Sequence, residues 1–400
     1  MYIKHKKRII IILTTAVLLG VGAAGWWFYL RPVPQTTQQP SSHTHKPSPR
    51  PTPSPAPLSF VDKTLAAMSV RDKVASLFIF HTPSADPSVL ANYYRTYKPS
   101  GLIFMGDNIP ATLPQLATAT SALTTDKQLP PLLAVDEEGD TVKRLAADTF
   151  PGALTLPDMP PAATKDAFSK RSDLLKSVGL NLNFGIVADV TANPNSFIFP
   201  RVLGTTPQAA SDRVAQAVIG SKGKTLSTLK HFPGHGETPA NSHVTIPSAS
   251  TSFTDWQQRV ALPFKAGIDA GADLVMFGHL RYMAVDQQPA ALSKTWHDTI
   301  RTQLGFKGLA ITDDMIMLLD SGEPAFADPV ANAVAGINAG NDLLLYVLDH
   351  DSAKSHIDPN VLINGVAAAV QDGRVSQSTI DQHARAVLTA RYNLGQELYK

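Results

Sequence analysis

The sequence predicts a single (β/α)8 barrel over residues 58–400, preceded by an N-terminal membrane anchor (1–31) and a Pro/Ser/Thr-rich linker (32–57). Three observations carry this reading. Short β-branched or aromatic apolar runs recur eight times after Leu58, amphipathic stretches separate them, and acidic or imidazole side chains sit at the ends of several runs.

The first 57 residues differ from the rest. They hold seven Lys or Arg and no acid, while the remainder is net acidic, so the formal charge of +2 conceals two opposite halves. Lys4, Lys6, Lys7 and Arg8 precede an uncharged, mostly apolar stretch from Ile9 to Leu30. As a helix that stretch reaches roughly 33 Å, about one bilayer core. Trp26, Trp27 and Tyr29 lie at its far end, where interfacial aromatics belong, and the basic flank favours a cytoplasmic N-terminus with the remainder exported. The expected location is therefore the cell membrane, single-pass, with the folded domain outside. A cleaved signal peptide is the competing reading, but the run is long for one and no A-x-A site precedes the prolines. Residues 32–57 carry nine prolines among Ser, Thr and Gln. Such a segment cannot form a core; extended, it would act as a stalk of up to roughly 80 Å. No basic stripe with interleaved aromatics is present, so a nucleic-acid partner is not expected. The chain has no cysteine, which removes disulfides, thiolate metal sites and a Cys nucleophile.

The eight candidate strands are Leu77–Phe80, Gly101–Met105, Leu132–Asp136, Asn181–Val187, Thr228–His231, Leu274–Phe277, Leu309–Asp313 and Leu343–Val347. Helical stretches such as Pro207–Ile219 and Val260–Ala270 lie between them. Alternating β and α elements imply a parallel sheet, and eight repeats fit a barrel. A doubly wound open sheet is the alternative, but no Gly-rich nucleotide fingerprint follows the first strand. Asp136, His231 and Asp313 each close a candidate strand and His279 follows one, and the C-terminal strand ends form the active-site face of a barrel.

The segment from Lys230 to His243, K-H-F-P-G-H-G-E-T-P-A-N-S-H, packs one lysine and three histidines into a loop shaped by two glycines and two prolines. Metal ligation by this cluster is one reading, although the spacings lack the helical H-E-x-x-H arrangement. The string resembles the K-H-F-P-G-H-G-x-T-x-x-D-S-H signature of the bacterial β-N-acetylglucosaminidases of glycoside hydrolase family 3. The resemblance continues through Ala134–Gly139 with Val142 and Arg144, through Arg201–Gly204 with Pro207, through Gly308–Met315, through Pro289–Ser293 and to Tyr392–Gly395, and so covers nearly all of 58–395.

The resemblance implies a retaining glycosidase with Asp313 as nucleophile and His243 as general acid/base, with Asp136, Arg144, Arg201, Lys230 and His231 contacting the sugar. It implies no cofactor and no metal. A histidine suits both proton transfers, because its ordinary pKa lies near 6.5, and the glycine-bearing loop is expected to carry it in and out during turnover. The substrate implied is a terminal β-N-acetylglucosamine on a glycan or muropeptide. Asp314 reads as a structural hydrogen-bonding group, Asp189 as a structural partner of a neighbouring Arg, and His279 as either a sugar contact or a packed rim residue.

Two positions depart from the family pattern. Asn241 stands where the pattern has the Asp that orients and polarises the acid/base; an amide can orient the imidazole but cannot stabilise imidazolium by charge. Glu237, on the same loop, is a candidate substitute carboxylate. Asp140-Thr141 replaces the usual Gly-Arg, and Asp140 is expected to face solvent or to bear on substrate choice. The alternatives are a β-glucosidase-like or phosphorylase variant of the family, or a cell-wall-sugar-binding protein weakened by Asn241.

Overall fold

The computed structural model describes residues 59–399. The segments read as anchor and linker lie outside the described residues, and among the described residues no helix is long and apolar enough to cross a membrane. The eight expected strands are all present: β1 Phe78–Phe80, β2 Gly101–Phe104, β3 Leu132–Val135, β4 Leu182–Val187, β5 Leu226–Phe232, β6 Leu274–Phe277, β7 Leu309–Thr312 and β8 Leu344–Tyr346. They form one parallel sheet in chain order, with β8 returning to pair with β1 through Phe78↔Leu344 and Phe80↔Tyr346. The seam between β7 and β8 is the thinnest part of the wall. A single bridge, Ile311↔Leu343, crosses it, backed by the Thr312 N–H to Leu343 O bond at 3.2 Å and the Leu345 N–H to Thr312 Oγ1 bond at 3.1 Å.

Both faces of these strands are buried, which is why each reads as an unbroken apolar run. Alternate residues still separate cleanly. Ile79, Ile103, Ala134, Met276, Ile311 and Leu345 fill the barrel interior. Their neighbours Phe78, Phe80, Leu102, Phe104, Leu133 and Val135 pack outward against helices. On the other side of the barrel Phe232, Phe277 and Ala310 do the same.

The crossover helices begin where the sequence stops them from beginning earlier. Asp86, Thr206, Asp328 and Asp358 each accept a backbone N–H from the first turn, and each is followed by a proline whose missing N–H costs nothing there. The expected helices at Pro207–Ile219 and Val260–Ala270 appear as Pro207–Ser221 and Ala261–Asp269.

Beyond β3 the chain forms a long loop folded over a buried ion pair. Arg171 and Asp148 lie inside it, with Nε to Oδ2 at 2.5 Å and neither side chain exposed. Glu137 is buried beside them. One carboxylate oxygen accepts the N–H groups of Arg144 and Leu145 at 3.0 and 3.1 Å. Burial, and then the nearby Asp148 carboxylate, push the Glu137 carboxyl up to about 8, against the pull of those two N–H groups. The protonated form of Glu137 is thus favoured at neutral pH, and its second oxygen is buried without a partner among the described residues.

A raised carboxyl binds its proton more tightly in the folded state, so it adds stability below its ordinary value of 4.5 and loses that contribution as pH climbs toward 8. Glu137→Gln copies the protonated acid without the titration. Its thermal midpoint is expected to fall less than that of the parent between about pH 5 and pH 8. Melting curves across that range check it, and parallel declines in both proteins would contradict the assignment.

Candidate active site

The C-terminal ends of the strands surround a cavity of about 770 Å³. Its floor is the top of the barrel interior, including Ile103, Met276, Leu345 and Val347, and its polar rim holds Asp136, Arg144, Arg201, Lys230, His231, His243 and Asp313. Every predicted sugar-contacting residue and both predicted catalytic groups therefore meet in one place. Asn241 stands just behind His243 as its hydrogen-bond partner. The strand ends are one residue off the expectation: β3 stops at Val135 and β7 at Thr312, so Asp136 and Asp313 lie just past the ladder, while β5 runs on through His231 to Phe232.

Four charges, Lys230 and Glu138 buried and Asp136 and Arg201 half-buried, organise one side of the cavity. Lys230 Nζ sits 2.7 Å from Asp136 Oδ1 and 2.6 Å from Glu138 Oε1. Arg201 grips Glu138 with two bonds, Nε to Oε2 at 3.0 Å and Nη2 to Oε1 at 2.6 Å. Burial alone would raise the Glu138 carboxyl, but Lys230 and Arg201 overcome it and hold it down at about 2. Two carboxylates thus balance two cations in a site too dry to tolerate an unpaired charge. Arg144 differs from these residues. It lines the cavity, and its buried Nε has no partner among the described residues.

His231 is fixed from both ring nitrogens. Nδ1 lies 2.7 Å from Asp189 Oδ2, and Nε2 faces Arg201 Nη2 at 3.3 Å. Burial, followed by the Arg201 charge, pushes its pKa well below the ordinary value. The ring is neutral, with Nδ1–H donating to Asp189 and Nε2 accepting from Arg201. Asp189, fully buried, also accepts the backbone N–H groups of His231 and His235. Burial raises its carboxyl to about 6, with His235 and those N–H groups pulling the other way. It pairs with a histidine and two amides rather than with the neighbouring Arg expected from the sequence.

Asp313 lines the cavity. Its Oδ1 accepts the N–H of Asp314 at 2.8 Å, and its own N–H is tied to Phe277 O at 2.8 Å. Burial pushes its carboxyl up, but the histidines around it, His231 and His279 foremost, and the Asp314 amide hold it below the ordinary value. Asp314 turns away and accepts the N–H groups of Ile316 and Val347, the structural role expected of it. His279 resolves as a support: its Nε2 donates to Asp314 O at 2.9 Å, and it does not line the cavity.

The loop carrying His243 is held at its base. Trp256 Nε1 donates to Pro233 O, Tyr282 OH to Gly234 O, and a Cβ on Gly236 would lie only 2.0 Å from Val190 O. His235 Nε2 meets Ser242 Oγ at 3.0 Å. His243 itself is exposed, with its ring 5.4 Å from that of Phe197, edge-on. Asn241 Oδ1 lies 3.0 Å from the His243 backbone N and 2.9 Å from Nδ1. A backbone N–H can only donate, so the Asn241 atom facing it is the carbonyl oxygen. The same oxygen then faces Nδ1, which must carry a hydrogen. In a neutral ring the unprotonated nitrogen is then Nε2, and His243 lines the cavity.

Residues 69–390 match the Glycosyl hydrolase family 3 N terminal domain. The chain belongs to glycosyl hydrolase family 3. It is similar to the Beta-hexosaminidase of Nitrosomonas eutropha, 31% identical over 267 residues that cover 63% of this chain and 75% of that one. The Beta-hexosaminidase of Pseudomonas aeruginosa is likewise 31% identical, over 64% of this chain and 76% of its own. Among solved structures, the family 3 beta-N-acetylglucosaminidase from a Paenibacillus species superposes with a TM-score of 0.73 at 26% identity; 82% of this chain covers 63% of that one. The Beta-N-acetylhexosaminidase of Beutenbergia cavernae gives 0.68 at 26% identity, covering 82% and 99%.

Two expectations are corrected in this family 3 chain. Glu237 does not reach His243; it is locked to Arg259 by two bonds of 2.7 and 2.6 Å and accepts from Thr251 Oγ1. Asp140 is half-buried and does not line the cavity, and its Oδ2 is tied down by the N–H groups of Gly152 and Leu154 rather than free in solvent. One site residue was missed. Glu138 received no role from the sequence, although two cations assigned to the same face, Lys230 and Arg201, require more counter-charge than Asp136 supplies.

The two glutamates predict opposite outcomes. Glu138→Ala leaves two buried cations short of a partner and is expected to cost about 3–5 kcal/mol, with loss of sugar-site geometry. Glu237→Gln weakens a pair whose Arg is exposed, so it is expected to cost no more than about 1 kcal/mol and to leave turnover nearly unchanged. Denaturant midpoints and kcat/KM of the two variants check both.

Proposed function

We propose that this family 3 glycoside hydrolase removes terminal β-linked N-acetylglucosamine with retention of configuration, Asp313 acting as nucleophile and His243 as acid/base. The observation that carries the reading is that His243, held through Nδ1 by Asn241, lines the same cavity as Asp313. The names of the similar proteins support an N-acetylhexosamine as the sugar.

In the first step a His243 protonated at Nε2 gives that proton to the leaving oxygen. One oxygen of Asp313 attacks the anomeric carbon as the glycosidic bond breaks, forming a glycosyl ester. The Asp314 amide holds the other oxygen and steadies the attacking geometry. In the second step the bare Nε2 takes a proton from water, the water oxygen attacks the anomeric carbon, and the ester bond returns its electrons to Asp313. Arg144, Asp136, Lys230 and Arg201 face the sugar hydroxyls, with Glu138 and Asp189 holding those groups from behind.

Asn241 sets the rate. It keeps Nδ1 protonated and the ring aimed, but it offers a dipole where a carboxylate would offer a charge. Glycans of peptidoglycan, or related aminosugar polymers and muropeptides, fit a barrel held outside the cell membrane by residues 1–31. The basic flank and the apolar stretch behind it support that placement.

Hydrolysis of an aryl β-N-acetylglucosaminide by the full-length chain in detergent tests the proposal. Asp313→Ala is expected to abolish the activity. Asn241→Asp is expected to raise kcat by about 10-fold or more, since a carboxylate partner lifts an imidazole pKa by roughly 1–3 units. The gain stays below the roughly 10⁴-fold effect known for a serine-protease triad, because there the amide also imposes the wrong tautomer. An active Asp313→Ala variant would overturn the nucleophile assignment. A silent parent beside an active Asn241→Asp variant would mark the chain as a sugar binder.

A further inference from the structure

The ends of three adjacent strands hold a second cluster that the sugar chemistry does not use. His81 follows β1 by one residue, Asp107 follows β2 by three, and His350 follows β8 by four; β8, β1 and β2 are neighbours in the sheet. His81 Nε2 lies 2.9 Å from Asp107 Oδ1, and His350 Nδ1 lies 3.2 Å from Asp107 Oδ2. One donor atom from each of the three residues falls within 4.8 Å of the others. His350 also lines the catalytic cavity, so the cluster stands on its rim.

The outer nitrogens set the chemistry of the inner ones. His81 Nδ1 is 2.5 Å from Leu348 O, a carbonyl that can only accept, so Nδ1 carries a hydrogen. His350 turns its Nε2 toward Asp351 Oδ2 at 3.5 Å. With Nδ1 protonated and the ring neutral, His81 Nε2 presents a lone pair to the Asp107 carboxylate, and an added proton or a cation is needed to reconcile those two acceptors. A buried histidine whose outer N–H is fixed on a backbone carbonyl, with its inner nitrogen beside a carboxylate, is the usual support of a metal ligand.

We propose that His81, Asp107 and His350 form a binding site for a divalent transition-metal ion of zinc type, tying the loops after β1, β2 and β8 together at the cavity rim. Two imidazoles and one carboxylate match the ligand softness of zinc and leave a fourth position for water or for a donor from the cavity. Bonds of about 2.0–2.2 Å place tetrahedral ligands roughly 3.3–3.5 Å apart. The present spacings need only small adjustments, which the partly exposed Asp107 and His350 side chains, 36% and 20% accessible, can make around a fixed His81. Asp107 is itself steadied by the Asn108 N–H at 2.9 Å.

The full-length chain, stripped with chelator and titrated with zinc chloride by calorimetry, tests this without any sugar substrate. The parent is expected to bind one equivalent, and cobalt(II) in its place is expected to show the visible bands of a tetrahedral ion. Losing a mere outer-sphere partner costs about 10–100-fold in affinity, so Asp107→Asn and His350→Ala, both at partly exposed positions, are each expected to weaken zinc by at least about 100-fold. His243→Ala, in the other histidine cluster, is expected to bind zinc as the parent does. The proposal is overturned if the parent takes up no stoichiometric zinc, if the two ligand variants bind undiminished, or if His243→Ala is the variant that loses the ion.

Discussion

The site depends on one constraint: four charges, two buried and two half-buried, that must be packed together. Asp136 and Glu138 come from the end of β3, Lys230 from β5, and Arg201 from the connection after β4, and the buried Lys230 and Glu138 could not stand unpaired. Their pairing fixes the spacing of the strand ends above the cavity. It also keeps Lys230 and Arg201 ionised and rigidly placed beside the cavity. The same arrangement extends to His231, which is held between Arg201 and Asp189 and kept neutral by burial. A neutral ring with Nδ1 donating is a positioned hydrogen-bonding group and not a further cation in an already balanced set.

Around that network the loops are held by hidden acids. Glu137 supports the turn that presents Arg144, Asp189 gathers the amides at the start of the His231–His243 loop, and Asp314 anchors the turn after Asp313. All three have their carboxyls raised, chiefly by burial, to about 8, 6 and 7. Perturbed carboxyls cluster at functional sites, yet all three of these are engaged by backbone N–H groups of the scaffold. Asp313 on the cavity wall and Glu138 behind it are held low instead, against their burial, the one by the surrounding histidines and the other by Lys230 and Arg201.

Much of this was legible in the sequence. Strands buried on both faces announce themselves as apolar runs, and all eight were found to within two residues at either end. The cavity residues were legible because polar groups at strand tips have few other reasons to converge, and because Lys230–His243 carries so distinctive a pattern. What stayed hidden was pairing across long sequence distances. Glu138 meets Arg201 63 residues away, and Glu237 finds Arg259 on a later helix. Asp140 finds amides 12 and 14 residues on, in a loop whose path no periodicity describes. Nothing local marks which partner such a carboxylate will take.

The two groups proposed as catalytic stand on unlike supports, and the difference bears on how Asn241 is accommodated. Asp313 sits at the tip of a strand, with its backbone and one carboxylate oxygen both hydrogen-bonded. His243 stands on an exposed turn where a single amide oxygen holds both its backbone N–H and its ring. A carboxylate at position 241 would make the same two bonds and add a charge beside the cavity. The amide keeps the geometry and omits the charge, so the ring stays aimed while its imidazolium form gains no ionic partner. Since Glu237 is committed to Arg259, no other carboxylate on that loop takes the missing place behind the ring.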